Sequence, residues 1–344
     1  MLILKICLSV KKELSSTTRM HTVRLMTHDS KLMPLFLLIS LIAVAAPADR
    51  AAAQPSAARG ACHLLTVEHP HSSACDQEIA ANPLPNLVRP VPYVEDRDGE
   101  AIPRSILLPD DPLPYPVAWQ NHAWYFSDSP GVYPENDYTE ARRIGRETMY
   151  YVYQSVVADG EVWHLIGPDR WMRAAFISVL QIPARPAEVT GRWVALDLRQ
   201  QTLVALEDDR PVFATLISSG YYLQTTLGLY QVYARTLSMT MKGPPGANPP
   251  IYVFPTRWVM FFNKHQGLHA MPYHNDFGTR QSHGCVNVPP GDEEWLWNFF
   301  DETASDWDPN GPPTDFFVDN PDRAPWVYVY ESDPLPVWNV ESRQ

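Results

Sequence analysis

Proline is the residue that most limits what this chain can become. The 344 residues include 34 prolines against 16 glycines. A proline inside a helix removes a hydrogen bond and clashes with the preceding turn, whereas edge strands and extended connections tolerate it. Long helices are therefore broken up. Yet 45% hydrophobic content, with 16 tyrosines and 11 tryptophans, demands packed cores. A mostly β architecture with many extended connections meets both demands. The length allows roughly two domains, at about 150 residues each. A formal charge of −12, with no Lys/Arg cluster, excludes a nucleic-acid partner.

Residues 1–53 read as a presequence rather than fold. Residues 32–46 (LMPLFLLISLIAVAA) are an apolar run of signal-peptide length. Arg24 and Lys31 precede it, and the small residues Ala51, Ala52 and Ala53 follow at a cleavage site. The run is short for a membrane span, which needs about 20 residues. A cleaved secretory signal is expected, with a retained N-terminal anchor as the alternative and the only route to a membrane. Export gives the cysteines a meaning. Cys7 leaves with the presequence, and Cys62 and Cys75 are available to pair with each other in an oxidising compartment. Cys285 is then the odd thiol, either buried and inert or functional.

Residues 54–116 are rich in Pro, Ala and acidic residues with little periodicity, and read as a lead-in or linker. Residues 117–183 change texture. Short β-type runs at 123–126, 149–153, 161–165 and 171–172 are separated by turn signals, and Asp159-Gly160 is a hairpin signal. A small barrel is expected. After a linker at 185–188, a second β-rich domain covers 191–331. Strands are expected at 193–198, 201–206, 212–218, 225–232, 257–262 and 325–330. Residues 257–262 are nearly all apolar, as for a central strand covered on both faces. Residues 292–300 (DEEWLWNFF) carry acidic residues in the first turn and helical apolar spacing, which predicts a helix. The Gly/Pro-rich stretch 238–255 reads as an excursion able to act as a lid. Residues 332–344 are tail.

The chemistry gathers at Gln281-Ser282-His283-Gly284-Cys285-Val286-Asn287. A thiol needs a base to react at neutral pH, because the thiolate is the nucleophile. His269 lies sixteen positions upstream of Cys285 and is the expected base. Gly284 permits a tight bend at the thiol, leaving neighbouring amides to serve a bound oxyanion. His283 is placed to orient that loop or donate to substrate. Two other readings stand beside this one. Cys285 is a small buried hydrophobe, or His265, His269, His274 and His283 bind zinc with Cys285. The spacings fit no common zinc pattern.

The run Ser282 to Asn287, with His269 and the Tyr273-His274-Asn275-Asp276-Phe277-Gly278 segment, resembles the active-site signature of the L,D-transpeptidases. The resemblance covers roughly 191–330 and extends through Trp258 to Phe262, Thr226 to Tyr230 and Leu196 to Leu203. It implies a β-sandwich-like catalytic domain with no metal or organic cofactor. It implies that Cys285 attacks a peptidoglycan tetrapeptide stem and expels D-alanine. The acyl group then passes to an amine, as in a 3→3 cross-link, or to water. His269 matches the family's base. His283 and Gly284 match the oxyanion loop, and Ser282 and Asn287 match its supports, with Tyr273 on the substrate side. Ala270 stands where Gly, Ser or Asn is common, and its carbonyl is expected to orient the imidazole. Residues 117–183 similarly look like a bacterial SH3-like barrel, able to bind cell-wall peptide or simply to pack on its neighbour. The partner implied is the cell wall and its stem peptides, and the location is extracytoplasmic: cell wall, periplasm or secreted. An L,D-carboxypeptidase and a non-catalytic wall-binding protein are the alternative functions.

Overall fold

A computed structural model describes residues 60–88, 94–95, 101–102, 105–133, 139–221, 224–243, 252–301, 316–317 and 324–333. The presequence at 1–53 and most of the tail, 334–344, lie outside the described residues.

The chain enters through helix α1 (Ser73–Ala81), capped by Ser72, whose Oγ accepts the Ala74 N–H. A Cys62–Cys75 disulfide ties this helix to the turn before it. Both cysteines are buried against Trp163, Leu165 and Trp171. Two short strands, β1 (Val94–Glu95) and β2 (Ala101–Ile102), pair with each other, and β3 (Ile106–Leu107) follows. Eight strands come next: β4 (Val117–Gln120), β5 (Trp124–Tyr125), β6 (Arg143–Ile144), β7 (Met149–Tyr151), β8 (Gln154–Ala158), β9 (Glu161–Gly167), β10 (Arg170–Arg173) and β11 (Ile177–Val179). They lie in three small sheets, ordered β10-β9-β8, β11-β4-β7 and β5-β6. Asp159 and Gly160 both take positive φ, 51° and 74°, as the β8–β9 hairpin requires.

The C-terminal part opens with the meander β12 (Arg192–Asp197), β13 (Thr202–Glu207) and β14 (Arg210–Leu216). Then come β15 (Gly228–Gln231), β16 (Ala234–Lys242), β17 (Val253–Asn263), β18 (Gln266–Ala270) and β19 (Val286–Val288). Helix α2 (Pro290–Asp301), β20 (Phe316–Phe317) and β21 (Trp326–Tyr330) complete it. One sheet is ordered β15-β21-β12-β13-β14-β3 and the other β19-β18-β17-β16-β20. The apolar alternation of the meander explains the layering. Val194, Leu196, Leu203 and Phe213 join Met260, Leu268, Val286, Val288 and Trp297 in the core that links this sheet to β17–β19 and α2. Trp193, Ala195, Val204 and Leu216 point to the opposite face, where they meet Val117, Trp119 and Tyr151. The sheet is buried on both faces, which is why its strands read as nearly continuous apolar runs. Each fully buried large side chain contributes about 1.5–3 kcal/mol.

Two expectations change. The supposed linker supplies part of the main sheet, because Leu107 and Ile106 pair with Phe213 and Ala214. Two paired residues are too few to leave a period in the sequence. The excursion at 238–255 is largely a hairpin arm, with β16 and β17 in register from Ala234↔Phe261 to Lys242↔Val253. Residues 244–251, the middle of the proposed lid, lie outside the described residues.

Candidate active site

Strands β18 and β19 run parallel, with Leu268 opposite Val286, His269 opposite Asn287 and Ala270 opposite Val288. Strand parity puts His269 and Asn287 on one face. Cys285, two residues before Asn287, continues on that face just outside the ladder. Apolar residues opposite the site face anchor both strands: Leu268, Val286 and Val288 are fully buried.

His269 is buried, and its Nδ1–H donates to the Ala270 carbonyl at 3.0 Å. That fixes the tautomer and leaves Nε2 as the basic nitrogen. A second donor also reaches the Ala270 carbonyl. The buried Thr256 hydroxyl on β17 also hydrogen-bonds to this oxygen. Burial pulls the His269 pKa down to about 4, against a smaller upward pull from the Ala270 carbonyl, and His274 pushes it further down. The imidazole is therefore neutral at physiological pH.

Cys285 is the free cysteine among the described residues and is half-buried. Its Sγ donates to the His265 carbonyl at 3.3 Å rather than to the imidazole. Burial pushes the thiol pKa up, partly opposed by a hydrogen bond from the Gly267 backbone. The resting pair is a neutral thiol and a neutral imidazole.

The bend before Cys285 is built by close backbone approach. Gly284 has φ +130°, outside the range side chains normally adopt. A Cβ on Gly220 would stand 3.0 Å from Gly284 Cα, so two glycines touch where the segment 218–225 passes the bend. Thr225 Oγ1 accepts the Gly220 N–H at 2.8 Å and donates to the Gly284 carbonyl at 3.0 Å. Ser218 and Asn287 exchange backbone hydrogen bonds at 2.9 Å in each direction. Ser282 Oγ accepts the Gly284 N–H at 3.1 Å and donates to the Cys285 carbonyl. The Gly284 amide is thus spent inside the loop, on Ser282. The Cys285 amide, one residue on, lies outside the β18–β19 ladder.

The remaining candidates form a rim. His283 is exposed, with its ring 5.4 Å from that of Tyr252. Tyr273 is 58% exposed and meets Phe254 at 5.5 Å, and Phe254 lies 6.1 Å from the His269 ring. Tyr252, Phe254, Thr225 and Thr256 escape a reading of the sequence. The first two sit where Pro and Gly dominate, and aromatic residues in so breakable a segment were the available signal. Among the described residues no group of three or more His, Cys, Asp or Glu is arranged to hold a metal.

Residues 191–315 match the family model of the L,D-transpeptidase catalytic domain, called YkuD. No curated protein matches the chain. Solved structures similar to it include an L,D-transpeptidase (Yku) from Stackebrandtia nassauensis. That protein is 23% identical, covering 44% of this chain and 60% of that one, with a TM-score of 0.30. The catalytic domain of the Enterococcus faecium L,D-transpeptidase is 21% identical, covering 42% of this chain and 100% of the domain, with a TM-score of 0.31. An L,D-transpeptidase from Mycobacterium smegmatis is 15% identical, covering 49% and 72%, with a TM-score of 0.32.

Proposed function

We propose that this protein is an exported cysteine L,D-transpeptidase acting on peptidoglycan stem peptides. The observation that carries the reading is His269: a buried, neutral imidazole whose Nδ1–H is tied to the Ala270 carbonyl, on the strand beside the one that Cys285 opens. The family match over residues 191–315 supports it.

In this reading Cys285 turns from the His265 carbonyl toward His269 as substrate arrives. Nε2 takes the thiol proton while Sγ attacks the carbonyl carbon at the L-centre of a tetrapeptide stem. The Cys285 N–H receives the developing oxyanion, and loss of one such donor typically costs about 10²–10³ in rate. The imidazolium returns its proton to the departing D-alanine amine, leaving a thioester on Cys285. An acceptor amine from a second stem then gives up a proton to His269, attacks the thioester and frees the thiol, forming a 3→3 cross-link. Ser282 and Asn287 hold the loop, and His283, Tyr252, Phe254 and Tyr273 form the rim over which the stem enters. The disulfide at Cys62–Cys75 accords with an extracytoplasmic location. Residues 117–183 are the SH3-like module of this reading.

Intact-protein mass spectrometry with a carbapenem tests the chemistry. One adduct on Cys285, absent from Cys285→Ala and strongly slowed in His269→Ala, is expected. A free, alkylatable Cys285 that takes up no carbapenem refutes it. Incubation with a disaccharide-tetrapeptide then separates the activities: a cross-linked dimer marks the transpeptidase, and a tripeptide alone marks an L,D-carboxypeptidase.

A further inference from the structure

The first half of the loop between β18 and the Cys285 bend is anchored in a core that it shares with the N-terminal β module. Met271 and Phe277 are buried in one cluster with Val117, Trp119 and Tyr151. The backbone of the loop also touches that module. A Cβ on Gly278, whose φ is +88°, would stand 2.7 Å from the Asn121 Cβ. Between these anchors, Arg146 Nη1 donates to Asp276 Oδ1 at 2.7 Å.

From Asp276 the contacts run inward. The Asp276 N–H donates to His274 Nδ1 at 3.1 Å, so a neutral His274 carries its proton on Nε2. His274 Nε2 lies 2.9 Å from the side-chain amide of Asn287. An Nε2–H requires the amide oxygen of Asn287 there, and that oxygen otherwise stays buried without a partner. Asn287 is 2% exposed, faces His269 across the β18–β19 ladder and lies two residues beyond Cys285.

We propose that residues 117–179 are a positioning part of the catalytic site rather than an independent wall-binding module, with Arg146 acting through Asp276 and His274 to set where Asn287 stands beside His269 and Cys285. This rests on the transpeptidase reading for what the site does. It does not rest on that reading for the geometry. The ion pair is partly exposed, with Arg146 at 28% and Asp276 at 48%, so its effect lies in placement more than in attraction. Arg146, Asp276 and His274 are positioning residues, since none touches the reacting atoms.

The test uses the full chain and the variants Arg146→Ala, Arg146→Lys, Asp276→Asn and the Arg146→Ala/Asp276→Asn double. Carbapenem acylation is followed over a concentration series, beside the melting temperature and the ring-nitrogen NMR shifts of His274. Arg146→Ala and Asp276→Asn are each expected to lower the limiting acylation rate about tenfold, as for a small misplacement of reacting groups. The half-saturating carbapenem concentration should hold. The double variant should be no slower than the slower single one, and Arg146→Lys should recover most of the rate. The His274 shifts should move in Arg146→Ala and return in Arg146→Lys. Parental acylation with unmoved His274 shifts in Arg146→Ala overturns the proposal, as does a loss explained by melting temperature alone and not recovered by lysine. If the parent protein takes no carbapenem although Cys285 is free, the transpeptidase reading fails, and the His274 shifts decide positioning by themselves.

Discussion

The protonation states of Cys285 and His269 make a sharp prediction about pH. Cysteine catalysis proceeds either through a standing thiolate–imidazolium pair or through a neutral pair in which the base acts only as the bond forms. Here burial holds the His269 pKa at about 4 and pushes the Cys285 thiol above its ordinary 9.0. Both shifts disfavour the charged partner, so the resting pair is held neutral. Two reagents distinguish the cases. Iodoacetamide reacts with thiolate alone, so its rate should climb about tenfold per pH unit across neutrality, with no plateau below pH 9. In the proposed chemistry His269 is the base, so carbapenem acylation should stay nearly flat from about pH 5 to 8 and fall only as His269 protonates near pH 4. His269→Ala should abolish the flat region and leave the iodoacetamide profile almost unchanged. An iodoacetamide plateau at pH 5–7 that disappears in His269→Ala would refute the reasoning, because it would reveal a standing ion pair.

Three further outcomes follow from particular contacts. Thr256→Val removes the hydroxyl that holds the Ala270 carbonyl. It should slow carbapenem acylation by about fivefold, as loss of one net hydrogen bond of about 1 kcal/mol implies, while Thr256→Ser retains most of the rate; equal rates in both variants would count against the carbonyl's role. Gly284→Ala forces a side chain into φ +130° with its Cβ 3.4 Å from the Gln224 carbonyl. It should cost about 1–3 kcal/mol in urea unfolding as well as the activity, and unchanged stability would argue against a strained bend. His164, fully buried against Ser155, joins His269 with a pKa lowered to about 4 by burial. The unfolded chain takes up these protons first, near pH 6.5, so stability is full above that and is lost as pH falls toward 4, by about 3 kcal/mol for each histidine. Melting temperatures measured between pH 7 and 4 check this, and a flat profile rejects it.

The strands of the meander were legible because a sheet buried on both faces leaves long apolar runs, as at Trp193 to Leu198. Helix α2 was legible from Asp292 and Glu293 in its first turn. The hairpin at Asp159-Gly160 declared itself because few residue pairs accept two positive φ angles. Around the candidate site, the sequence singled out His269, Ala270 and Cys285, and the structure puts them on and beside the neighbouring strands β18 and β19. What was hidden is long-range. Ile106 and Leu107 reach the main sheet from a segment with no period of its own. Ser282 Oγ occupies the Gly284 amide through a contact two residues apart that no periodicity reports. Thr225 and Thr256 matter through single hydroxyls, and a threonine in a β-rich sequence is ordinary until its partner is known.

The location of the site explains why so much of it depends on distant sequence. Cys285 and His269 are placed by β18 and β19, whose buried residues Leu268, Val286 and Val288 belong to the core under helix α2. The loop that carries Tyr273, His274 and Asp276 is placed by Met271 and Phe277, which belong to the other core, on the far face of the β12–β14 meander. Cys285 and His269 therefore answer to one core, and the surface facing them answers to a second that is half built from residues 106–189. Interiors transmit strain because they are close-packed. A cavity opened at Trp119 or Tyr151, far from any reacting atom, has a direct route to the loop through Phe277, whereas a cavity at Trp297 reaches the strands and not the loop. The meander between the cores is the element both halves share, because its alternate residues are buried in one core and then in the other.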